Sequence, residues 1–524
     1  MIDDDPLHGH TADHHYWTTA NAGEAAPGVQ TPLSLTTWRA AGCRGLEESA
    51  RAIGVLGPTE ELPAPAVNGF HGRAVLSVDF LKVIGDRMPG ADGPQVVSGL
   101  IGYVPDGMTF APTRSYHLSV AKTFPRSFRR VPAALAELSA EYDVWWRQAV
   151  LRIDELDEAD VRTFLAEAVA HHERATVVQS VSTFTGVQPV HDALERVISR
   201  LGSDASSILT APVGGAEMDV VADIWRASRG GLTVEDVVRR HGFHGPFEGE
   251  LSAEVWRDDA TPLQRMVQRY AARPDSDSPL AQHAERARAR AEAERGLVAS
   301  APVLARPAVL GLLRLARRRL HLRGVAKRSM LQGFDGVRAG ARRLGHILAA
   351  DGRLDEPGDV FYLTNHEARA PLPADAKDLV AERRARRAQY QNLQLPLVFR
   401  GTPVPVESTG TGENRRTLEG VGVSAGVVEG TARVVTDPGF AEVEDGEVLI
   451  APTTDPSWSS ILFVSAALVV DIGGALSHAA VVARELEIPC VVNTRDGTSV
   501  IHTGDRVRVD GRAGTVEILE RTRS

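Results

Sequence analysis

A run of apolar residues followed by two glycines and an amphipathic segment is the feature that most constrains this chain. The run "ALVVDI" at 467–472 is almost continuously apolar, which is typical of a strand buried on both faces of a parallel sheet. Gly473 and Gly474 allow a sharp turn and a close approach of the backbone to a ligand. Because Ser477 is a good helix N-cap, the pattern predicts a strand, a turn and then a helix over 478–486.

His478 occupies the first turn of this predicted helix. At that position the free backbone N–H groups and the helix dipole favour negative charge and disfavour a protonated imidazole. A ring nitrogen is therefore kept available as a nucleophile, and an anion that it takes up, such as a phosphoryl group, is stabilised. The alternative is a histidine that only caps the helix or packs beside the glycines.

Two kinds of sequence pattern divide the chain into a helical body and a β-rich C-terminal part. Residues 1–40 are rich in Pro, Gly and Thr and predict irregular structure, whereas apolar residues recur every three to four positions over 130–175. Further helices are predicted at 187–202, 262–272, 280–298 and 307–350. After Phe399 a polar stretch predicts a linker, and beyond it short β-runs alternate with turns.

These patterns predict a multidomain protein with three parts. The first is a mainly α-helical substrate-binding domain over 1–399, of which 1–16 are expected to form a mobile tail. The second is a linker over 400–419, whose composition suits a flexible tether. The third is a C-terminal α/β domain over 420–524.

Composition narrows the classes of function. The formal charge of −10 argues against a nucleic-acid partner, which would be met by clustered Lys and Arg. With only Cys43 and Cys490, a disulfide framework is not expected and a reducing compartment fits. The longest apolar run, 461–470, is too short to span a bilayer, and the acidic start is unlike a signal peptide. We therefore expect a cytoplasmic protein without a membrane partner.

The string "GGALSHAAVVARELEIPCVV" closely resembles the phosphohistidine segment of the phosphoenolpyruvate synthase and pyruvate phosphate dikinase family. The matching positions are Gly473, Gly474, Ser477, His478, Ala483, Arg484, Glu485, Ile488 and Pro489. The stretches "GVGVSAGVVEGTARVV" and "GDRVRVDGRAGTVEIL" extend the resemblance on either side. The resemblance implies a swivelling domain whose histidine, His478, is phosphorylated at one site and discharged at another, with Ser477 and the two glycines beside the phosphoryl group.

Three stretches of the body resemble the substrate domain of the rifampin phosphotransferases, which belong to the same family: "WTTANAGEAAPGVQTPLS", "HGFHGPFEGELSAEVWRDD" and "AADGRLDEPGDVFYLTNHE". Those enzymes usually have His-Arg-Gly-Pro where this chain has Phe-His-Gly-Pro at 243–246, so His244 replaces a guanidinium that can hold a phosphate with two bonds. Glu248 and Glu250 can accept a proton from a substrate hydroxyl. The alternative is that His244 and both glutamates only cap or pair locally.

A stripe of cationic and apolar residues is predicted along one face of a helix. Its members are Arg323, Lys327, Met330, Leu331, Phe334 and Arg338. Cations around an apolar centre suit a site that binds both a phosphoryl group and a fairly apolar substrate. Lys327 stands out because the chain has four lysines and 54 arginines. The alternative is a core-facing stripe whose charges snorkel at its ends.

The N-terminal histidines His8, His10, His14 and His15 raise the question of a metal site. Without cysteines or regular structure around them, we expect them to belong to the mobile tail. No metal site and no cofactor bound by this chain alone is therefore predicted.

Three hypotheses for function follow. The resemblance implies that an ATP-grasp domain charges the histidine, and we expect the chain to lack it, because the resemblance begins near residue 17 and no Walker-A glycine loop is found. In the first hypothesis a separate ATP-grasp protein, which binds ATP and Mg, charges His478. The histidine then phosphorylates a hydroxyl of a small, fairly apolar metabolite, in specialised metabolism such as antibiotic modification.

The second hypothesis is an ATP-independent dehydratase, lyase or isomerase. It uses His478 with Glu248, Glu250 or His244 as acid–base groups. The third is a binding protein that keeps the pocket without catalysis. Turnover without any nucleotide separates the second from the first.

Overall fold

The computed structural model describes residues 5–19, 22–26, 28–101, 103–201, 208, 216–245, 247–275, 278–407, 415–435, 443–444, 446–452, 454, 458–462, 465–474, 478–486 and 488–522. At a few of these positions, His478 among them, the backbone is described and the side chain is not.

The chain folds into two units, each made of separate segments of the sequence. Unit 1 consists of Met1–Gly186, Phe247–Ala253 and Val325–Ser408. Unit 2 consists of Val187–Pro246, Glu254–Gly324 and Thr409–Ser524. The segment Phe247–Ala253, called the inserted loop below, is thus a piece of unit 1 enclosed in sequence by unit 2.

Most of the regular structure is helical. The helices are α1 (Ala22–Ala25), α2 (Pro32–Ile53), α3 (Val78–Arg87), α4 (Gly93–Ile101), α5 (His117–Ala149), α6 (Glu158–Ser182), α7 (Gln188–Leu201), α8 (Ala216–Ser228), α9 (Val234–His241), α10 (Thr261–Ala271), α11 (Pro279–Ser300), α12 (Arg306–Leu320), α13 (Leu322–Ala350), α14 (Asn365–Arg369), α15 (Ala376–Gln391), α16 (Ser459–Leu462), α17 (His478–Glu485) and α18 (Gly497–Val500). Helices α1–α6 and α13–α15 serve unit 1, apart from the first three residues of α13, and the others serve unit 2.

The strands form two main sheets, one in each unit. They are β1 (Tyr16–Thr18), β2 (Val67–Phe70), β3 (Arg73–Ser77), β4 (Leu393–Gln394), β5 (Val398–Arg400), β6 (Val406–Glu407), β7 (Thr417–Glu419), β8 (Val421–Ser424), β9 (Val427–Val434), β10 (Val448–Ala451), β11 (Ala467–Val470), β12 (Cys490–Val492), β13 (Arg506–Asp510) and β14 (Thr515–Glu520).

Helix α2 begins inside the stretch that was expected to be irregular. Pro32 stands in its first turn, where the missing N–H has no helical partner to lose, and Gly54 ends the helix with a φ of 95°. The helix packs against α6, and this tertiary packing stabilises it more than its local helix propensity does. The prediction of irregular structure over 1–40 is therefore wrong from Pro32 onward.

The N-terminal residues are packed rather than mobile. Leu7 is fully buried, and the backbone N–H of Gly9 donates to the carbonyl of Gly69 at 2.7 Å. The N–H of Gly72 donates to the carbonyl of Leu7 at 2.7 Å, so the segment lies along the β2–β3 hairpin. Strand β1 then joins the sheet of order β2-β3-β1-β5. In the described part, from residue 5, the structure differs from the mobile tail expected over 1–16.

Unit 2 contains an eight-stranded sheet of order β7-β14-β13-β9-β10-β11-β12-β8. Strands β9 to β12 run parallel, and the outer pairs are antiparallel. Every residue of β10, β11 and β12 is buried, because alternate side chains enter apolar clusters on the two faces. The prediction that 467–470 form a strand covered on both faces is confirmed.

The coarse prediction of fold is confirmed: the chain is multidomain, mainly helical, and carries a C-terminal sheet. The swivelling of that part and the boundaries at 399 and 419 stay predictions, and 408–414 of the linker lie outside the described residues. Among the described helices none combines the length and apolar character needed to cross a membrane.

A pair of glycines in unit 2 gives a test of the packing. A Cβ at Gly511 would lie 1.9 Å from the carbonyl oxygen of Ser424, whereas a Cβ at Gly296, inside α11, meets nothing within 4 Å. We expect Gly511→Ala to lower the free energy of unfolding by roughly 3 kcal/mol through overpacking. Gly296→Ala should raise it by about 0.5–1 kcal/mol through helix propensity. Urea denaturation followed by circular dichroism measures both, and equal effects would contradict this packing.

Candidate functional site

The strand–glycine–helix segment is formed as predicted in unit 2. Backbone hydrogen bonds continue past β11, because the N–H of Asp471 donates to the carbonyl of Ala451 at 3.0 Å. Gly473 and Gly474 follow, and α17 begins at His478, which places this residue in the first turn of the helix. Ser477 and the side chain of His478 lie outside the described residues.

Helix α17 is fixed on the sheet. Ala479, Ala480 and Ala483 are buried in the apolar cluster that covers one face of β10, β11 and β12. The Nε of Arg484 donates to the carbonyl of Val423 at 2.6 Å. The start of the helix is therefore held at the carboxyl end of a parallel strand, where α/β sheets commonly bind ligands and where the helix dipole attracts anions.

Asp471 is a buried carboxyl at the end of β11 that the sequence analysis missed. It accepts hydrogen bonds from the Oγ1 of Thr494 at 3.0 Å and from the backbone N–H and hydroxyl of Thr498. Burial raises its pKa to about 6, although the hydrogen bonds act in the opposite direction. Its place after an unbroken apolar strand was the available signal.

The inserted loop of unit 1 carries Glu248 and Glu250, and its backbone is captured by side chains of α2 and α13. Trp38 donates its indole N–H to the carbonyl of Gly249 at 2.8 Å. Arg338 donates to the carbonyls of Glu248 and Glu250, at 2.7 and 3.2 Å. Arg342 donates to the carbonyls of the last two residues of the loop. The loop begins at Phe247 with a φ of 56°, which is sterically costly for a bulky residue.

The carboxylate of Glu250 is fully engaged in local hydrogen bonds. It accepts from the backbone N–H and hydroxyl of Thr31, from the hydroxyl of Ser34, and from the N–H and hydroxyl of Ser252, all at 2.7–2.9 Å. Thr31 and Ser34 lie at the start of α2, where the helix dipole favours negative charge. These contacts make Glu250 an anchor of the loop, which was the alternative to proton transfer.

Glu248 has a different environment. Its carboxylate lies 3.4 Å from the Nζ of Lys327 on α13, and the side chains are 9% and 30% exposed. The acidic group is thus largely desolvated while the lysine reaches the surface. An acid and a cation side by side at a partly open position can accept a proton and neutralise a phosphate.

The remaining residues of the cationic stripe separate according to burial. Met330, Leu331 and Phe334 are buried, and the ring of Phe334 lies 4.9 Å from that of Trp38. Arg338 is 1% exposed and forms a 2.9 Å ion pair with Asp335. The apolar part of the stripe is core, as in the alternative, but Arg338 is buried in an ion pair and does not snorkel to the surface. Lys327 lies at the partly exposed end of the stripe.

Besides the segment around His478, two residues predicted for the site in the helical body belong to unit 2. Arg323 is exposed at the start of α13. His244 is buried, with its ring 4.4 Å from that of Phe243 and 5.7 Å from that of Trp256. The structure therefore does not bring His244 and Glu248 together within one unit.

The N-terminal histidines do not share a cluster of metal-ligand atoms. His15 contacts Asp79 at 3.0 Å, and His8 packs on His71. Among the described residues, three possible ligand atoms lie close together at His191, Asp192 and Glu195 of α7, where exposed acidic groups alone are weak evidence for an ion.

Two segments of the chain match family models. Residues 443–514, which include β11, α17 and His478, match the PEP-utilising enzyme mobile domain. Residues 226–324 match the rifampicin phosphotransferase fourth domain. The predicted family resemblance is confirmed.

Part of the chain is similar in sequence to known proteins. An uncharacterised protein of Mycobacterium tuberculosis is 35% identical over 283 residues, which cover 53% of this chain and 30% of that protein. The rifampicin phosphotransferases of Streptomyces sviceus and Bacillus subtilis are 40% and 34% identical, over 33% and 32% of this chain and 20% of each enzyme. The matched part of the chain thus spans less than a third of the length of each of these relatives.

The buried carboxyl of Asp471 predicts a pH dependence of stability. Between its ordinary pKa of 3.8 and its folded pKa of about 6, the folded protein holds a proton that the unfolded chain releases. The free energy of unfolding should therefore fall as pH rises through this window, by about 3 kcal/mol in total. Asp471→Asn should abolish this loss. Urea denaturation of both proteins from pH 4 to 7 checks it, and a constant difference between them would contradict the assignment.

The anchoring role of Glu250 predicts a large loss of stability. Glu250→Ala removes the acceptor of five donors, of which the three of Thr31 and Ser34 are buried and the two of Ser252 half-buried, so it should cost about 2–4 kcal/mol. The exposed Glu254 is a matched control, and Glu254→Ala should stay within about 0.5 kcal/mol of the parent. Thermal and urea unfolding measure both. Equal losses would show that the loop does not depend on this carboxylate.

Proposed function

We propose that this chain is a phosphotransferase that carries a phosphoryl group on His478 and delivers it to a hydroxyl of a small, fairly apolar metabolite. The observation that carries the proposal is the match to the PEP-utilising enzyme mobile domain, because the matched segment includes the strand, the glycine pair and the helix that begins at His478. The similarity to phosphotransferases of other organisms supports the same reaction class.

In this proposal Glu248 and Lys327 serve the acceptor. Glu248 takes the proton of the attacking hydroxyl, and the ammonium of Lys327 offsets the negative charge of the phosphoryl group. The P–N bond to His478 breaks as the new P–O bond forms, and the released imidazole takes up a proton. Gly473, Gly474 and Ser477 surround the phosphoryl group on the histidine, and Arg323 adds positive charge.

The phosphoryl group comes, in this proposal, from an ATP-grasp protein or domain outside these 524 residues, which binds ATP and Mg. This part rests on the resemblance to the rifampicin phosphotransferases alone. Rifampicin, named in those relatives, is the first acceptor to try. A role in specialised metabolism and a place in the cytoplasm stay predictions.

The acid–base alternative without a phosphoryl donor has lost part of its support. The carboxylate of Glu250 is occupied by hydrogen bonds at the start of α2, and His244 is buried beside Phe243 and Trp256. No observation favours it over phosphoryl transfer, and it survives as one outcome of the experiment below.

The test is to charge the protein and follow the phosphoryl group. We expect phosphoramidate, or ATP with an ATP-grasp protein, to give one acid-labile phosphoryl group at residue 478 by peptide mass spectrometry, and His478→Ala to remove it. Glu248→Gln should still be charged but should transfer to the acceptor at least about 100-fold more slowly, since it loses the base. Glu254→Gln, at an exposed position, is the control.

Two outcomes would contradict the proposal. One is an uncharged His478 under every donor tested, including phosphoenolpyruvate. The other is turnover of a metabolite with no phosphoryl donor present, which would favour the acid–base alternative.

A further inference from the structure

A fully buried ion pair lies behind the inserted loop. Asp335 and Arg338, one turn apart on α13, are 0% and 1% exposed, and their charged atoms lie 2.9 Å apart. The second oxygen of Asp335 accepts the indole N–H of Trp146 at 2.8 Å. Buried ion pairs add little net stability compared with apolar residues of the same volume, so this pair calls for another explanation.

The direction of the Arg338 donors supplies one. One terminal nitrogen binds Asp335, and the other donates to the carbonyls of Glu248 and Glu250. A planar guanidinium can hold these acceptors at fixed angles, which the single ammonium of a lysine cannot. The carboxylate of Asp335 orients the guanidinium, and the guanidinium orients the backbone on either side of Gly249.

The inserted loop needs such a restraint. Its first residue, Phe247, has a left-handed backbone, which persists only where the surroundings determine it. Within the loop, turn hydrogen bonds pair the carbonyls of Phe247 and Glu250 with backbone N–H groups. The carbonyls of Glu248 and Gly249 and those of the last two residues bind side chains instead, from Arg338, Trp38 and Arg342. Among these contacts, that of Arg338 is made at the carbonyl of Glu248 itself.

We propose that Asp335 and Arg338 are positioning residues that hold the Glu248 carboxylate beside Lys327. They touch no reacting atom. They fix the backbone of Glu248, and through it the distance between the acid and the lysine. The value of that distance for catalysis rests on the proposed function, whereas the positioning itself is tested without any phosphoryl donor or acceptor.

The test uses the reactivity of Lys327. A carboxylate at 3.4 Å stabilises the ammonium form and so lowers the fraction of neutral amine that can react with acetic anhydride. Because the chain has four lysines, peptide mass spectrometry can follow Lys327 against Lys82 and Lys377, which are paired with Asp86 and Asp355 elsewhere in unit 1. Glu248→Gln should raise the relative labelling rate of Lys327 roughly three- to tenfold near pH 8 and shift its pH profile to lower pH.

Arg338→Lys and Asp335→Asn should reproduce much of this change in Lys327. The matched control is Arg383→Lys, because Arg383 is also a buried arginine of unit 1 that binds a carboxylate, that of Glu367, and a backbone carbonyl, that of Tyr362. It should lower thermal stability and leave the labelling of Lys327 unchanged.

The proposal is overturned if the Arg338 and Asp335 variants change Lys327 no more than Arg383→Lys does. If those variants fail to fold, Trp146→Phe removes the indole N–H donated to Asp335, together with part of a buried ring, and should give a smaller rise in the same direction. No change there would overturn the proposal as well. A positive labelling result together with an uncharged His478 would refute the phosphotransferase function and leave the positioning intact.

Discussion

The contact of Arg338 with the inserted loop is the interaction on which the candidate site in unit 1 depends. A loop without regular structure leaves its carbonyls unpaired, and buried carbonyls without partners are costly. Here the guanidinium, the indole of Trp38 and the side chain of Arg342 supply donors, and Glu250 ties the loop to the start of α2. The backbone of the loop is therefore held by hydrogen bonds, as that of a strand is, and Glu248 projects from a fixed position.

The candidate site in unit 2 is held in place by apolar packing instead of hydrogen bonds. The sheet buries apolar side chains on both faces, and α17 packs on one face through small residues. The backbone of His478 is therefore held by the packing of its helix on a sheet, and not by side chains that bind a loop. One unit uses hydrophobic burial to place a histidine, and the other uses hydrogen bonds to place a carboxylate.

Local patterns predicted the structure around His478 well and the surroundings of Glu248 only in part. The strand, the glycine pair and the helix follow from residues adjacent in sequence, which is why their prediction succeeded. Glu248, Glu250 and Arg338 were also selected, but their separate roles depend on contacts between positions 90 residues apart, such as the bond from Arg338 to the carbonyl of Glu248. The N-terminal residues have no hydrophobic periodicity, and they pair with the β2–β3 hairpin about 60 residues away in sequence. A prediction from local patterns could therefore not find this pairing.

The enclosure of the inserted loop within unit 2 sets an order of events during synthesis. Glu250 can bind the start of α2 as soon as both have left the ribosome, since Thr31 precedes it. Arg338 emerges 88 residues after Glu250. A nascent chain that stops short of α13 can therefore form the bonds of Glu250 and Trp38, but the carbonyl of Glu248 still lacks its donor. Completion of unit 1 waits for α13, and until then its exposed apolar surface is a target for chaperones.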